Sequence, residues 1–238
     1  MFSRLSLSVF ALTAIVCSLI LGMSLQNLRA SENYISVTGS SQQVIESDTA
    51  TWRISLEHVT QDTLTLREGS ETLASSLKVL LSYLAKQGFS GSSVMVQPVS
   101  VETNINYNLG NVPSSYRLHQ SVVVQSNSVS RVTEAAKNSS TLLAQGAVIS
   151  TSGVEYTYSR LPELRVELLS RATEDAKKRA DSIARSAGSS LGKLQSASVG
   201  VFQVAPVNSI EISDYGLYDT TTVTKQVTAI VRASFDVK

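Results

Sequence analysis

Between Arg171 and Gly192, small residues recur at every fourth position: Ala172, Ala176, Ala180, Ala184, Gly188 and Gly192. A four-residue step follows one ridge of an α-helix. Alanine on that ridge lets another backbone approach closely while helix propensity stays at its best. Between the small residues lie acid-before-base pairs at i,i+4, namely Glu174 with Lys178, Asp175 with Arg179 and Asp181 with Arg185, the order that supports a solvated helix face. The run therefore predicts a long helix with one thin, buried face and one ionic face. It is a packing surface rather than an active site.

The rest of the chain alternates between strand and helix periods. Thr51–Val59 places Trp52, Ile54 and Leu56 on one face and Arg53, Ser55 and Glu57 on the other, the pattern of a half-buried strand. Its expected partner is 35–44, joined through a turn at 46–48. Leucines at helical spacing predict a helix over 62–87 with Gly88 as its C-terminal cap, and Gly69 inside it costs about 1 kcal/mol against alanine. Residues 94–107 read as a strand whose phase slips at Pro98, where a bulge or an edge is expected because proline lacks the ladder donor. A loop over 108–115, a strand over 116–125, a helix over 127–145 and a strand over 147–158 follow. Pro162 opens the long alanine helix, and strands over 194–204 and 223–237 close the chain. In the last of these Val227, Ala229, Val231, Ala233, Phe235 and Val237 share one face. The order predicts an α+β fold, a mainly antiparallel sheet with helices packed on one face. Residues 51–107 and 116–158 also look like a diverged strand-helix-strand duplication.

Several stretches together resemble the SIMPL-domain family of bacterial cell-envelope proteins. Tyr34–Gly39 (YISVTG) followed by Ser47–Ala50 (SDTA) is similar to that family's V-x-G and P-D-x-A opening. Gly88–Tyr107 followed by Val112–Val124 is similar to a helix ending in glycine that leads to a P-x-Y element. Gln145–Val154 (QGAVISTSGV) matches a G-A-x-x-x-x-G-V turn, and the alanine ladder completes the series. The resemblance covers residues 34–238. Ser47 stands where the family usually has proline, and Leu168–Ser170 replaces the commoner glutamate-and-arginine start of the ladder. The resemblance implies ring-like homo-oligomers and a loosely defined part in envelope maintenance or oxidative-stress tolerance.

A chain of 238 residues with 42% hydrophobic content can bury one substantial core or two modest ones. Acids and bases are interleaved to a net charge of +1, so no basic stripe exists to neutralise a phosphate backbone, and nucleic acid is not an expected partner. The single cysteine, Cys17, rules out an internal disulfide. Residues 1–30 read as an export signal or an N-terminal membrane anchor, since 5–23 carry no charge and Arg4 and Arg29 flank them. If uncleaved, this segment would hold the protein to a membrane. Either way, 31–238 is expected outside the cytoplasm as a SIMPL-like α+β domain.

The reactive inventory is sparse. The two histidines, His58 and His119, lie in strand patterns far apart in sequence, without the spacing of a metal shell. No G-x-S-x-G elbow occurs, and Ser139 and Ser140 read as helical surface. Asp48, singled out by the family resemblance, reads as a turn residue that bonds nearby backbone. No catalytic residue, cofactor or metal ligand is assigned. The segment 206–222 (PVNSIEISDYGLYDTTT) is too long for a tight hairpin, and loops of this length usually carry function. Its Ile210, Ile212, Tyr215, Leu217 and Tyr218 form the candidate subunit contact, and Ala172, Ala176, Ala180, Ala184 and Gly188 form the helix packing ladder. The expected function is non-enzymatic self-assembly. A ligand-binding or adaptor module is the alternative, and an enzyme acting on a small envelope metabolite through His119 or Asp48 is a further one.

Overall fold

The computed structural model describes residues 13–15, 17–18, 33–106, 112–210 and 213–238. Most of the expected leader, Tyr107 and Ile212 therefore lie outside the described residues. In chain order the elements are β1 (Tyr34–Glu46), β2 (Thr49–Thr60), α1 (Leu66–Lys86), β3 (Val94–Val96), β4 (Ser100–Asn106), β5 (Val112–Ser126), α2 (Val129–Lys137), α3 (Thr141–Ala144), β6 (Ile149–Thr157), α4 (Leu161–Ser186), β7 (Leu191–Val199), β8 (Gln203–Pro206), β9 (Leu217–Tyr218) and β10 (Thr224–Val237). Helices and antiparallel strands in this order make the α+β fold expected from the periodicities. Where the sequence offered one domain over 31–238, the described residues group into two compact units. One holds 33–42, 165–202 and 228–238, and the other holds 43–164 and 203–227. Three elements, β1, α4 and β10, have residues in both.

The larger unit is built on a sheet with strand order β3-β5-β2-β6, with β4 also on β5. Alternation along β2 does what its sequence predicts: Ala50, Trp52, Ile54 and Leu56 are fully buried, and α1 and α2 cover that face. Leu73, Leu80 and Leu84 of α1 meet Val122 and Val124 of β5 and Val132 and Ala135 of α2. Two polar groups within this core are satisfied. The Tyr83 hydroxyl donates to the Ala135 carbonyl at 2.7 Å, and the Trp52 indole N–H donates to Thr151 Oγ1 at 2.8 Å.

The second sheet has the order β1-β10-β8-β9, with β7 also on β10. In the smaller unit the alanine ladder packs as expected. Ala172, Ala176, Ala180 and Ala184 are fully buried, and Ala176 and Ala180 cluster with Val37, Ala233 and Phe235. The opposite face carries the anticipated ion pairs: Lys178 to Glu174 at 2.9 Å, and Arg179 to Asp175 and Arg185 to Asp181 at 2.8 Å.

Several expectations are corrected. β1 does not pair with β2; it pairs with β10, in the other sheet. A tight hairpin wants positive φ at its central residues, which favours glycine or asparagine, and the link here is Ser47-Asp48. Its N–H groups are spent elsewhere, Ser47 N–H on the Val223 carbonyl (2.9 Å) and Asp48 N–H on the Thr157 carbonyl (3.0 Å). Gly188 is not a rung of the ladder. It is exposed beyond the end of α4 at φ +75, where its N–H bonds the Arg185 carbonyl and the Ser189 N–H bonds that of Ala184, closing a Schellman cap.

The strand expected over 94–107 is split into β3 and β4. Val96 pairs with Val122 and Ser100 with His119, so the segment around Pro98 holds one residue more than the β5 stretch opposite. The helix expected over 127–145 is interrupted by a 3₁₀ turn at Asn138–Ser140. Ser139 there is buried, not on the surface, with its hydroxyl donating to the Ala136 carbonyl at 2.7 Å, a bond that competes with regular helix. The strand expected over 194–204 is likewise divided at 200–202 into β7 and β8.

Candidate functional site

Lys225 is the second residue of β10 and shares parity with Val227, Ala229 and Val231, so the pleat sends its side chain inward with theirs. Its side chain is 2% exposed, and a buried ammonium requires a partner. Asp219, 7% exposed, supplies it at 3.3 Å, while the ammonium also donates to the Thr222 carbonyl. The carboxylate is saturated from its other side. Thr221 donates to Oδ1 through its N–H (2.8 Å) and its hydroxyl (2.7 Å), and Thr222 donates to Oδ2 through both of its donors.

Burial by itself would raise the Asp219 carboxyl. The hydrogen bonds from Thr222 and Thr221 and the Lys225 ammonium outweigh it and hold the group far below the usual carboxylate range. Burial pushes the Lys225 ammonium down from its ordinary value, against the raising effect of Asp219.

This clasp fixes the C-terminal root of the loop that spans 207–216. Backbone bonds extend the anchoring: Asp219 N–H to the Val204 carbonyl (2.8 Å) and Tyr156 N–H to the Thr220 carbonyl (2.7 Å). Gln203, itself buried, grips the loop with both ends of its amide. Its Nε2 donates to the Ser213 carbonyl at 2.7 Å, and its Oε1 accepts the Leu217 N–H at 2.8 Å. Leu217 and Tyr218 form β9, which runs parallel to β8.

The sequence-predicted contact residues divide accordingly. Ile210 and Tyr215 stand 94% and 97% exposed, and Tyr218 is half-exposed. Leu217 is half-buried in β9, and Ile212 lies outside the described residues. The loop therefore combines a pinned root with apolar groups in water. Sequence reasoning missed both the clasp and a second apolar stretch, Val96, Val99, Val101 and Ile105, all exposed on and beside β3 and β4. The signal for the clasp was the parity of Lys225 with the buried valines of its own strand.

Asp48 acts as a tie. Its Oδ1 accepts the Ser159 N–H at 2.9 Å and its Oδ2 accepts the Ser159 hydroxyl at 2.7 Å, joining the start of β2 to the segment before α4. Burial would raise its carboxyl, but these bonds and that from Thr49 hold it below the ordinary value. His119 sits 3.6 Å from Glu57 on the neighbouring strand. His119 pairs with Glu57 and Ser126 pairs with Ala50 along β2, so His119 and Asp48 stand near opposite ends of that strand, roughly 30 Å apart at its rise per residue. They share no common point. His58 packs against Gly69 of α1, where an added Cβ would stand 2.7 Å from its Cδ2. Among the described residues no group of three or more His, Cys, Asp or Glu side chains is placed to hold a metal, and no helix is long and apolar enough to cross a membrane.

The chain belongs to the SIMPL family, described as a protein of unknown function (DUF541), whose family model matches residues 35–235. No curated protein matches it. Two solved structures are similar over part of the chain: the crystal structures of AtUAH in complex with glyoxylate (10% identity, TM-score 0.25) and in complex with (S)-hydroxyglycine (11% identity, TM-score 0.22). Each alignment covers 48% of this chain and 28% of the other. The match thus spans less than a third of either solved chain.

Proposed function

We propose that this is a non-enzymatic, extracytoplasmic SIMPL protein that self-assembles, and that it serves envelope maintenance or oxidative-stress tolerance through its surfaces. The observation that carries this reading is the pairing of a rigid root with an apolar tip. The Asp219–Lys225 clasp and the Gln203 amide fix the loop, while Ile210 and Tyr215 remain almost wholly in water. Anchoring the root of such a loop without covering Ile210 and Tyr215 leaves apolar groups suited to a subunit contact, where tyrosine is enriched. The exposed valines and isoleucine of β3 and β4 add to the apolar surface available to a second copy. Static light scattering on the full chain tests the proposal, with a species larger than one subunit expected at micromolar concentration. A strict monomer would remove it.

The adaptor reading uses the same loop for a different protein. Deletion of 207–216 separates the two, because self-assembly predicts loss of the native mass and an adaptor predicts an unchanged mass with loss of partner capture.

A further inference from the structure

Among the described residues β4 pairs with β5 alone, so its other side is an edge of the sheet. Every residue from Pro98 to Ile105 is exposed. An edge strand offers a row of main-chain donors and acceptors to any strand that can lie beside it, and proteins usually blunt such edges with lysine, proline or a bulge. β4, Ser100–Asn106, contains neither lysine nor proline. The register shift in its pairing puts the extra residue, Ser114, on β5, so β4 itself runs unbroken. Val101 stands opposite Leu118, a core residue, which places Val101, Thr103 and Ile105 on the helix-covered side of the sheet. At the edge these three side chains are nevertheless left in water.

The sequence of β4 is close to symmetric about Thr103, and that symmetry says which strand fits. Laid antiparallel against a second copy of itself with a twofold axis at Thr103, the strand sets Val101 against Ile105, Glu102 against Asn104 and Thr103 against Thr103. Threonines directly opposite hydrogen-bond across strands, and Val101 beside Ile105 hides two apolar groups from water. The neighbouring registers are worse. An axis at Glu102 brings two carboxylates face to face, which is destabilising, and an axis at Asn104 leaves Val101 with no partner in the other β4. We infer that β4 is an isologous contact, pairing antiparallel with β4 of a second copy about an axis at Thr103 and joining the two sheets into one. Two strands of seven residues bury less than the roughly 1,200–2,000 Å² of a stable interface. The inference therefore rests on the assembly reading, in which the contact at Ile210 and Tyr215 holds the copies together with it.

Oxidative cross-linking of the full chain tests it, in a Cys17→Ser background that removes the one native thiol. Residues directly opposite in an antiparallel pair have Cβ atoms about 4.5–5.5 Å apart, within small adjustment of a disulfide. Thr103→Cys should therefore give a disulfide-linked dimer as its main product on a non-reducing gel. Val101→Cys alone should not, because four residues of strand, about 13 Å, separate the two thiols. Mixing the Val101→Cys and Ile105→Cys chains should restore the cross-link. Thr103→Lys sets two ammonium groups against each other, so the native mass should fall while the melting temperature, set by an exposed position, stays unchanged. No dimer from Thr103→Cys, as much dimer from Val101→Cys, or a parental mass for Thr103→Lys would each overturn the inference. If the parent is larger than one subunit when that happens, assembly stands and uses another surface; a monomeric parent removes both.

Discussion

Gly39 of β1 lies directly beneath Ala176 of α4. A Cβ built on Gly39 would stand 2.7 Å from the Ala176 Cβ and closer still to the Ala172 carbonyl oxygen. The helix and the strand therefore meet with nothing larger than a methyl group between their backbones. Asp175 reinforces the crossing by accepting the Ser40 N–H at 2.8 Å, the largest of the effects that hold its carboxyl below the ordinary value. The alanine ridge thus has its answering small residue on the strand.

Gly39→Ala should destabilise the protein by at least the roughly 1–3 kcal/mol typical of overpacking, because the obstructing atoms are helix backbone and cannot rotate away. Gly69→Ala should cost less. There the added methyl meets His58 Cδ2, an atom of a side chain able to swing aside, and alanine recovers about 1 kcal/mol of helix propensity. Thermal unfolding followed by circular dichroism checks the ranking, and equal losses in the two variants would contradict the close-approach account.

Local periodicity made most elements legible and left their partners hidden. The alternation of Trp52, Ile54 and Leu56, the run from Val227 to Phe235 and the alanine ladder all appear as buried faces in the structure, since each pattern is written within one element. The separation of β1 from β2 depends on where Ser47 and Asp48 N–H groups find acceptors, at Val223 and Thr157, more than a hundred residues away. No local pattern reports that. The clasp was hidden for another reason: Asp219 lies only six residues before Lys225, but a charged residue near a strand end suggests solvent until the turn that brings the two side by side is known. Of the candidate contact, Ile210 and Tyr215 were recognisable as unusual apolar groups in a polar loop, whereas the half-burial of Leu217 follows from its pairing as β9 with β8.

Tyr215→Ser combined with Ile210→Ser should leave stability within about 0.5 kcal/mol of the parent, as expected for exposed positions away from the clasp. The native mass by light scattering should fall toward one subunit. A changed melting temperature with an unchanged mass would place these residues in the fold and not in a contact.

Asp48→Asn should lower stability, because the carboxylate accepts from both the N–H and the hydroxyl of Ser159, and bonds to charged groups contribute about 1.5–3 kcal/mol when well made. Its carboxyl is depressed in the folded state, so its contribution is complete above the unfolded value near about 4 and is lost as pH falls below it. The gap between parent and variant in urea midpoint should accordingly be wide at neutral pH and narrow in acid. A gap that does not depend on pH would show that charge plays no part in the tie.

The clasp provides the sharpest test of what holds the loop. Lys225→Met leaves Asp219 buried without its cation, and breaking a buried pair in this way typically costs about 3–5 kcal/mol. Adding Asp219→Asn removes the stranded charge while keeping an oxygen to accept from Thr221, so the double variant should be more stable than Lys225→Met alone. The pH dependence has a definite sign. The folded Asp219 carboxyl is depressed, which means its stabilisation is fully present above the unfolded value of about 4 and drains away as pH falls through that value. The parent should therefore lose stability steeply below about pH 4, and the double variant should lose less. Urea midpoints of all three proteins at neutral and acid pH make the comparison. If Lys225→Met is as stable as the double variant at neutral pH, the buried charge is not stranded and water reaches the root of the loop.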